Sequence, residues 1–360
     1  MRVTPNITSQ NSLYNLQLAR TRMDALGEKI ASGKNTNRPS DDPVATRLLL
    51  GIGDRLTAAD QYSSNISKAD TWFKMSDAAI STMYTSLADV RSKISTAASG
   101  NATADDRNNA VYYVQMMKET LVDLGNTDTN GVYLFGGTKN LQPPYIASTG
   151  DTTSGSTTIT NVDNIKNMAA GMEISGPGIV PGTKITAVTA GPPSSVDIDT
   201  AATANNLTAG FTVYTGDSNK IKIEINKGSS EAMNLVGNQF LTPQSASQYG
   251  SVDILKTFDQ LIVDLKSNNL DGINQGLQAL DDGAKQLISA QTDLQSRQVR
   301  FDTASKMNDT VVNTLKTVLS NSQEVDYAQL GVELQQQQTA FQAALSATAK
   351  ISQMSLLDYL

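Results

Sequence analysis

"IGDRLTAADQYSSNISKADTWFKMSDAAISTMYTSLADVRSKI", residues 52–94, repeats an apolar side chain every seven positions: Ile52, Ala59, Ile66, Phe73, Ile80, Leu87 and Ile94. From Tyr62 onward the places three further on hold Tyr62, Ala69, Met83 and Val90, with Ser76 the one polar interruption. A strict seven-residue repeat kept over this many turns is the seam of helices that wrap in a left-handed supercoil. The seam needs a partner, and the chain supplies candidates on both sides. Leu16, Ala19, Met23, Leu26 and Ile30 repeat the spacing before it, and Ile273, Leu280, Leu287, Leu294, Phe301 and Leu315 repeat it far downstream, broken by Asn308. A last stripe, Leu330, Leu334, Phe341, Ala344, Leu345 and Ile351, covers about a third of a helix circumference at ~100° per residue.

Between the helical arms the pattern changes. Seven of the ten prolines lie from Pro143 to Pro243, and residues 140–250 hold no arginine. The short β-branched runs "STTIT", "GTKITAVTA", "FTVYT" and "KIKIEI" sit there, spaced by Gly, Ser and Thr, as strands and turns require. The fold class expected is α+β: a long coiled-coil-like helical bundle built from the N- and C-terminal arms, with an inserted β-rich outer domain. The divisions expected are an N-terminal helix and link over 1–42, a long helical hairpin plus a third helix over 43–139, and the β-rich domain over 140–250. Returning helices occupy 251–320 and a C-terminal helix 321–360. An extra β module is expected at about 148–212.

Helix punctuation fixes the joints. In "ASGKNTNRPSDDPVATR" (31–47) Gly33 is a natural C′ residue, Pro39 forbids continuation, and Asp42 before Pro43 reads as an N-cap with proline at the first helical position. A new helix is expected from Pro43 to Ala98, about 80 Å long at ~1.5 Å per residue. Arg38 stands within reach of Asp41 for a local ion pair. "TADD" (103–106) has the spacing of a capping box, predicting a helix over 104–125 with Val111, Val114, Leu121 and Leu124 inward.

Composition limits the chemistry. The 360 residues include no cysteine and no histidine, which removes thiolate nucleophiles, disulfides, imidazole bases and the commonest zinc ligands. No catalytic, cofactor or metal residue is assigned. Asp197 and Asp199, alternating with Val196 and Ile198, are the one carboxylate pair on a strand face, a weak signal for glycan hydrolysis or calcium. The formal charge of −7 argues against nucleic acid, whose phosphates are met by Lys and Arg, and no apolar run is long enough to span a membrane. Residues 1–50 are net +3 and residues 320–360 net −3 (Arg2, Arg20, Arg22, Lys29, Lys34, Arg38 and Arg47 against Asp24, Glu28, Asp41 and Asp42; Lys350 against Glu324, Asp326, Glu333 and Asp358). Opposite charge on two apolar-striped ends predicts that the termini pair, within one molecule, between molecules, or both.

Several of these motifs together resemble the bacterial flagellin family of axial proteins. "ASGKNTNRPSDDPVA" (31–45), "LADVRSKISTAASGNATADDR" (87–107), "NGVYLFGGTK" (130–139) and "QEVDYAQL" (323–330) carry the resemblance, which covers about 1–140 and 250–360. Asp-Asp-Pro-Val-Ala at 41–45, the ending "ISQMSLLDYL" and the turn in "YTGDSNKIKIEINKGSSEAMNLVGNQF" (214–240) are similar to the branch at the hook–filament junction. The alternative is a filament flagellin, and a remoter one a surface protein that binds or hydrolyses glycans on a flagellin-like core. The resemblance implies a non-catalytic adaptor joining hook to filament, exported unfolded, secreted to the flagellum, with terminal helices that fold on assembly. Its implied partners are further copies of itself, a neighbouring hook-associated protein, flagellin and an export chaperone. Assembly contacts are expected from Leu16, Met23, Ile30, Arg38, Asp41, Asp42, Leu334, Phe341, Leu345, Ile351, Leu356 and Leu357.

Overall fold

The computed structural model describes residues 5–99 and 101–357. Three helices come first: α1 (Pro5–Ser32), α2 (Pro43–Ala97) and α3 (Ala104–Gly125). A short hairpin β1 (Asp128–Thr129) and β2 (Val132–Tyr133) follows, turning through Asn130 and Gly131, both at positive φ. Six strands come next: β3 (Tyr145–Thr152), β4 (Thr158–Ile159), β5 (Glu173–Ser175), β6 (Ile185–Thr189), β7 (Ser195–Ile198) and β8 (Asn206–Tyr214). A hairpin β9 (Lys222–Asn226) and β10 (Ser229–Ala232), the one-turn α4 (Gly237–Phe240), and helices α5 (Ile254–Lys266), α6 (Leu270–Gln323) and α7 (Tyr327–Leu357) complete the chain. The architecture is α+β, with long helices at both ends and a sheet-rich middle.

The chain divides into two compact units, one formed by its two ends (up to Gln61 and from Met307), the other by residues 62–306. In the second unit the seven-residue repeat does what its spacing requires. Ile66, Phe73, Ile80, Leu87 and Ile94 of α2 and Ile273, Leu280, Leu287, Leu294 and Phe301 of α6 are all buried in one core. Phe73 meets Phe301 edge to face with centroids 5.0 Å apart, a geometry worth about 1 kcal/mol beyond its buried area. Asp77 accepts from Gln291, and Arg91 pairs with Asp281 at 2.5 Å, so the two helices run antiparallel. The helix α3 starts at a full capping box, Thr103 accepting from the Asp106 amide while Asp106 accepts from the Thr103 amide. Its Val111, Val114 and Leu121 enter the same core.

The middle strands form two three-stranded antiparallel sheets, β3-β8-β5 and β4-β7-β6. Backbone bridges join them at both borders, Asp151 with Thr160 between β3 and β4, and Glu173 with Lys184 beside β5 and β6. Amide bonds from Ile174 to the Thr183 carbonyl and from Ile185 to the Met172 carbonyl reinforce the second border. The order thus closes into a small barrel, which leaves no long free edge to recruit another strand. Its interior is filled by its own core, including Ile159, Ile174, Ile185, Val196, Ile198, Phe211 and Val213. Gly150 and Gly176 allow this: a Cβ at the first would press on Ile159, and at the second on Phe211. The outer ends of β3 and β8 reach back, and Tyr145 and Tyr214, rings 5.3 Å apart, belong to the helical core.

Asp197 and Asp199 are structural. Asp197 accepts from the Thr158 hydroxyl at 2.7 Å, and Asp199, just past the end of β7, accepts the Lys184 amide at 3.0 Å. Neither lines the cavities flanking the barrel. Among the described residues no group of three or more acidic side chains is placed to hold a metal ion, and no helix is long and apolar enough to cross a membrane.

Candidate assembly surface

The unit formed by the chain ends pairs α1 with α7. At the joint the Asn35 amide donates to the Gln323 carbonyl at 2.8 Å, and Lys34 bridges Glu324. The last residues of α1 therefore lie beside the first of α7, and the helices run antiparallel. On α1 the protected positions include the row Ser12, Leu16, Ala19, Met23, Leu26 and Ile30, and on α7 the row Leu330, Leu334, Gln337, Phe341, Ala344 and Thr348, with Gly27, Lys29 and Glu333 half-buried beside them. Both sets alternate steps of three and four, the spacing of a coiled-coil seam. The two terminal stripes meet within one chain.

The structure sorts the expected assembly residues. Leu16, Met23, Ile30, Leu334 and Phe341 are half-buried in this seam. Leu345, expected on the same stripe, is 46% exposed, because the true seam passes through Ala344 and Thr348 and leaves it on the flank. The side chains of Ile351, Leu356 and Leu357 lie outside the described residues. Sequence reading missed Gln337 and Thr348 as seam positions because they are polar; the three-four spacing from Leu330 is the signal that finds them.

The link behaves partly as its punctuation requires. Asp42 accepts from the amides of Val44 and Ala45 at 3.0 and 2.9 Å, satisfying two of the orphan donors of α2 as an N-cap should. Arg38 is corrected. Its guanidinium pairs with Glu28 of α1 at 3.5 Å, while Asp41 accepts only its backbone amide at 3.1 Å. The three-residue loop to Asp41 turns the chain through the Asp41 amide bond to the Arg38 carbonyl, and that turn sends the long side chain back over α1. The Arg38 and Glu28 side chains are 68% and 46% exposed, so the pair contributes little by itself. Lys29 donates to the Asn35 side chain at 2.9 Å. These groups wall a polar groove of about 660 Å³ with Thr21, Asp24 and Asp41 on its rim.

Large apolar side chains remain uncovered in this unit: Leu13, Tyr14, Val44, Leu48, Leu50 and Val332 are 50 to 81% exposed. Residues 3–140 match the family profile of the bacterial flagellin N-terminal helical region, and residues 277–360 that of the bacterial flagellin C-terminal helical region. Flagellar hook-associated protein 3 of Salmonella typhimurium is 27% identical over 173 residues, 48% of this chain and 55% of that protein. The Escherichia coli protein of the same name is 26% identical over the same shares. The chain thus spans about half the length of the curated relatives it matches. A solved flagellar hook-associated protein from Vibrio parahaemolyticus shares the fold, with 19% identity and a TM-score of 0.56 over 79% of this chain and 100% of that one.

Proposed function

This chain belongs to the bacterial flagellin family, and on that premise we propose that it is a structural adaptor of the flagellum, joining hook to filament and catalysing no reaction. The observation that carries the reading is the terminal pair: α1 and α7 share one seam, yet Leu13, Tyr14, Val332 and Leu345 stay exposed around it. An isolated subunit gains nothing from such side chains, whereas a polymer buries them against the next copy at about 25 cal/mol per Å² of apolar surface. Ordering two long helices is costly, and burial between subunits offsets that cost, so the terminal pair consolidates as the subunit docks.

In this reading Leu16, Met23, Ile30, Leu334 and Phe341 hold the pair together, and Leu345, Leu356 and Leu357 meet neighbours. Arg38, Asp41 and Asp42 face the next subunit from the link, with Asp42 also serving its own helix as cap. The neighbours are further copies of this chain, another hook-associated protein on one side and flagellin on the other. An export chaperone covers the terminal stripes before secretion to the flagellum. The absence of histidine and cysteine and the structural use of Asp197 and Asp199 support a role without catalysis.

Seeded growth tests this. Purified chain is added to isolated hooks and followed by electron microscopy, with and without flagellin. A short collar that stops and then permits flagellin to extend is the expected result; unlimited growth into a filament identifies a flagellin and overturns the junction role.

A further inference from the structure

Between α3, α5 and the β3–β8 ribbon lies a cavity of about 740 Å³. Lys118 and Asp259 line it as an ion pair, Nζ to Oδ1 at 2.7 Å, with side chains only 9% and 2% exposed. A charge pair taken this far from water repays its desolvation only when its remaining donors and acceptors are also met. Here they are not. Among the described residues Asp259 Oδ2 has no hydrogen-bond partner, and the Lys118 ammonium donates to Asp259 Oδ1. Burial raises the Asp259 pKa, against the lowering effect of the Lys118 charge. The strand is cut away at the same place: a Cβ on Gly210 would collide with Asp259 Oδ1 and lie 3.0 Å from Lys118 Nζ.

The rest of the lining narrows the ligand. Lys118 and Lys266 face Glu119, Asp163 and Asp259, a near balance that favours neither a strong anion nor a strong cation. Gln115 offers an amide group beside Ser148 and Asn206, whose side chains already donate to Asp163 and to the Pro177 carbonyl, while Val122, Ile262 and Val263 offer short aliphatic surface. A molecule matching this has hydroxyls that both donate and accept, packed on a C–H framework. We propose that the cavity binds a small neutral saccharide, with one hydroxyl donating to the Asp259 carboxylate and the oxygen of its neighbour accepting from Lys118. The carboxylate torsion of Asp259 is soft, so turning it brings the unpartnered oxygen to the ligand without moving the backbone. The inference is independent of the junction role, since it rests on residues of the 62–306 unit alone.

The test is saturation-transfer NMR on the full chain with D-glucose, D-galactose and maltose at millimolar concentration. The expected result is transfer to at least one sugar, weakened about tenfold in affinity by Asp259→Asn through loss of one charged hydrogen bond. Removing the charge also leaves Lys118 buried without its counterion, so a second variant keeps the pair intact: Gln115→Trp puts a bulky side chain in the cavity lining and is expected to abolish the transfer. No transfer to any of the three sugars from the folded wild-type chain overturns the proposal, as does transfer unchanged by Gln115→Trp. A crystal structure grown with the sugar and holding only ordered water against Asp259 Oδ2 also overturns it.

Discussion

Asn308 Nδ2 donates to the Ala59 carbonyl across the α2–α6 seam at 2.8 Å, in a position that seven-residue counting assigns to an apolar side chain. Phe301 and Leu315, seven residues away on either side, are buried apolar partners. A lone buried amide in such a seam holds one register against its slipped alternatives at a cost in stability. Asn308→Leu is expected to raise stability by roughly 1 kcal/mol, removing an amide whose net hydrogen-bond gain is small once desolvated. It is also expected to loosen the register between residues 43–61 and 307–323. Thermal unfolding reads the first effect and amide exchange along α6 the second; a lower melting temperature shows the bond to be a net stabiliser instead.

Gly33 ends α1 at φ +69°, and a Cβ there would stand 2.7 Å from the Tyr327 hydroxyl. Gly33→Ala carries two costs that can be separated. The left-handed backbone costs an L-residue about 1 kcal/mol, and the tyrosine must move as well. Tyr327 is 60% exposed, so it can swing away cheaply. Faster amide exchange in the last turn of α1 is the expected readout, and Tyr327→Ala in the same chain should restore little of it, because the backbone strain remains.

Asp253 is the N-cap of α5, accepting from the Lys256 amide at 2.9 Å and from the Ser175 hydroxyl of the barrel. Burial pushes its pKa from 3.8 up to about 6, opposed by the Ser175 and Lys256 hydrogen bonds and the Lys256 charge, and aided by Asp259. Between these two values the folded chain keeps a proton that the unfolded chain has released. Its contribution to stability therefore falls as pH rises through that window and levels off above about 6, by at most about 3 kcal/mol. Asn caps helices as well as Asp does. Asp253→Asn should thus flatten this part of the stability curve measured by urea unfolding across pH 4 to 7; an unchanged slope assigns the pH dependence elsewhere.

Much of this was legible in the chain because period and punctuation are local. Ile66 to Ile94 and Ile273 to Phe301 announce their burial by spacing alone, and Thr103 with Asp106 marks the start of α3 within four residues. Closure of the barrel was not legible, since the bridges Asp151–Thr160 and Glu173–Lys184 are single pairings between segments with no shared pattern. The partner of Arg38 was missed because a loop conformation, not sequence distance, chooses Glu28 over Asp41. Lys118 shows a signal that went unused. It lies seven residues after Val111 and three before Leu121, so the register already places a lysine among buried apolar neighbours, and a buried lysine requires a counterion.

Phe341 is half-buried on α7 in the seam shared with α1, and no element of the 62–306 unit depends on that pairing for its own core. Phe341→Asp places a charge where the pairing needs apolar contact, costing the terminal pair about 2 kcal/mol or more. Trp72, the only tryptophan, is buried in the 62–306 core, which provides an internal control. If the terminal pair is the assembly element, the variant keeps the wild-type Trp72 fluorescence and its unfolding transition while seeded growth on hooks is abolished. If the seam is instead ordinary core of a self-sufficient monomer, the variant loses stability in the free protein and still joins the hook at the wild-type rate when added in folded form. Leu345→Asp sharpens the distinction, because that side chain lies outside the seam: it should leave the α1–α7 pair intact by amide exchange and still impair growth, through contact with the neighbouring subunit alone.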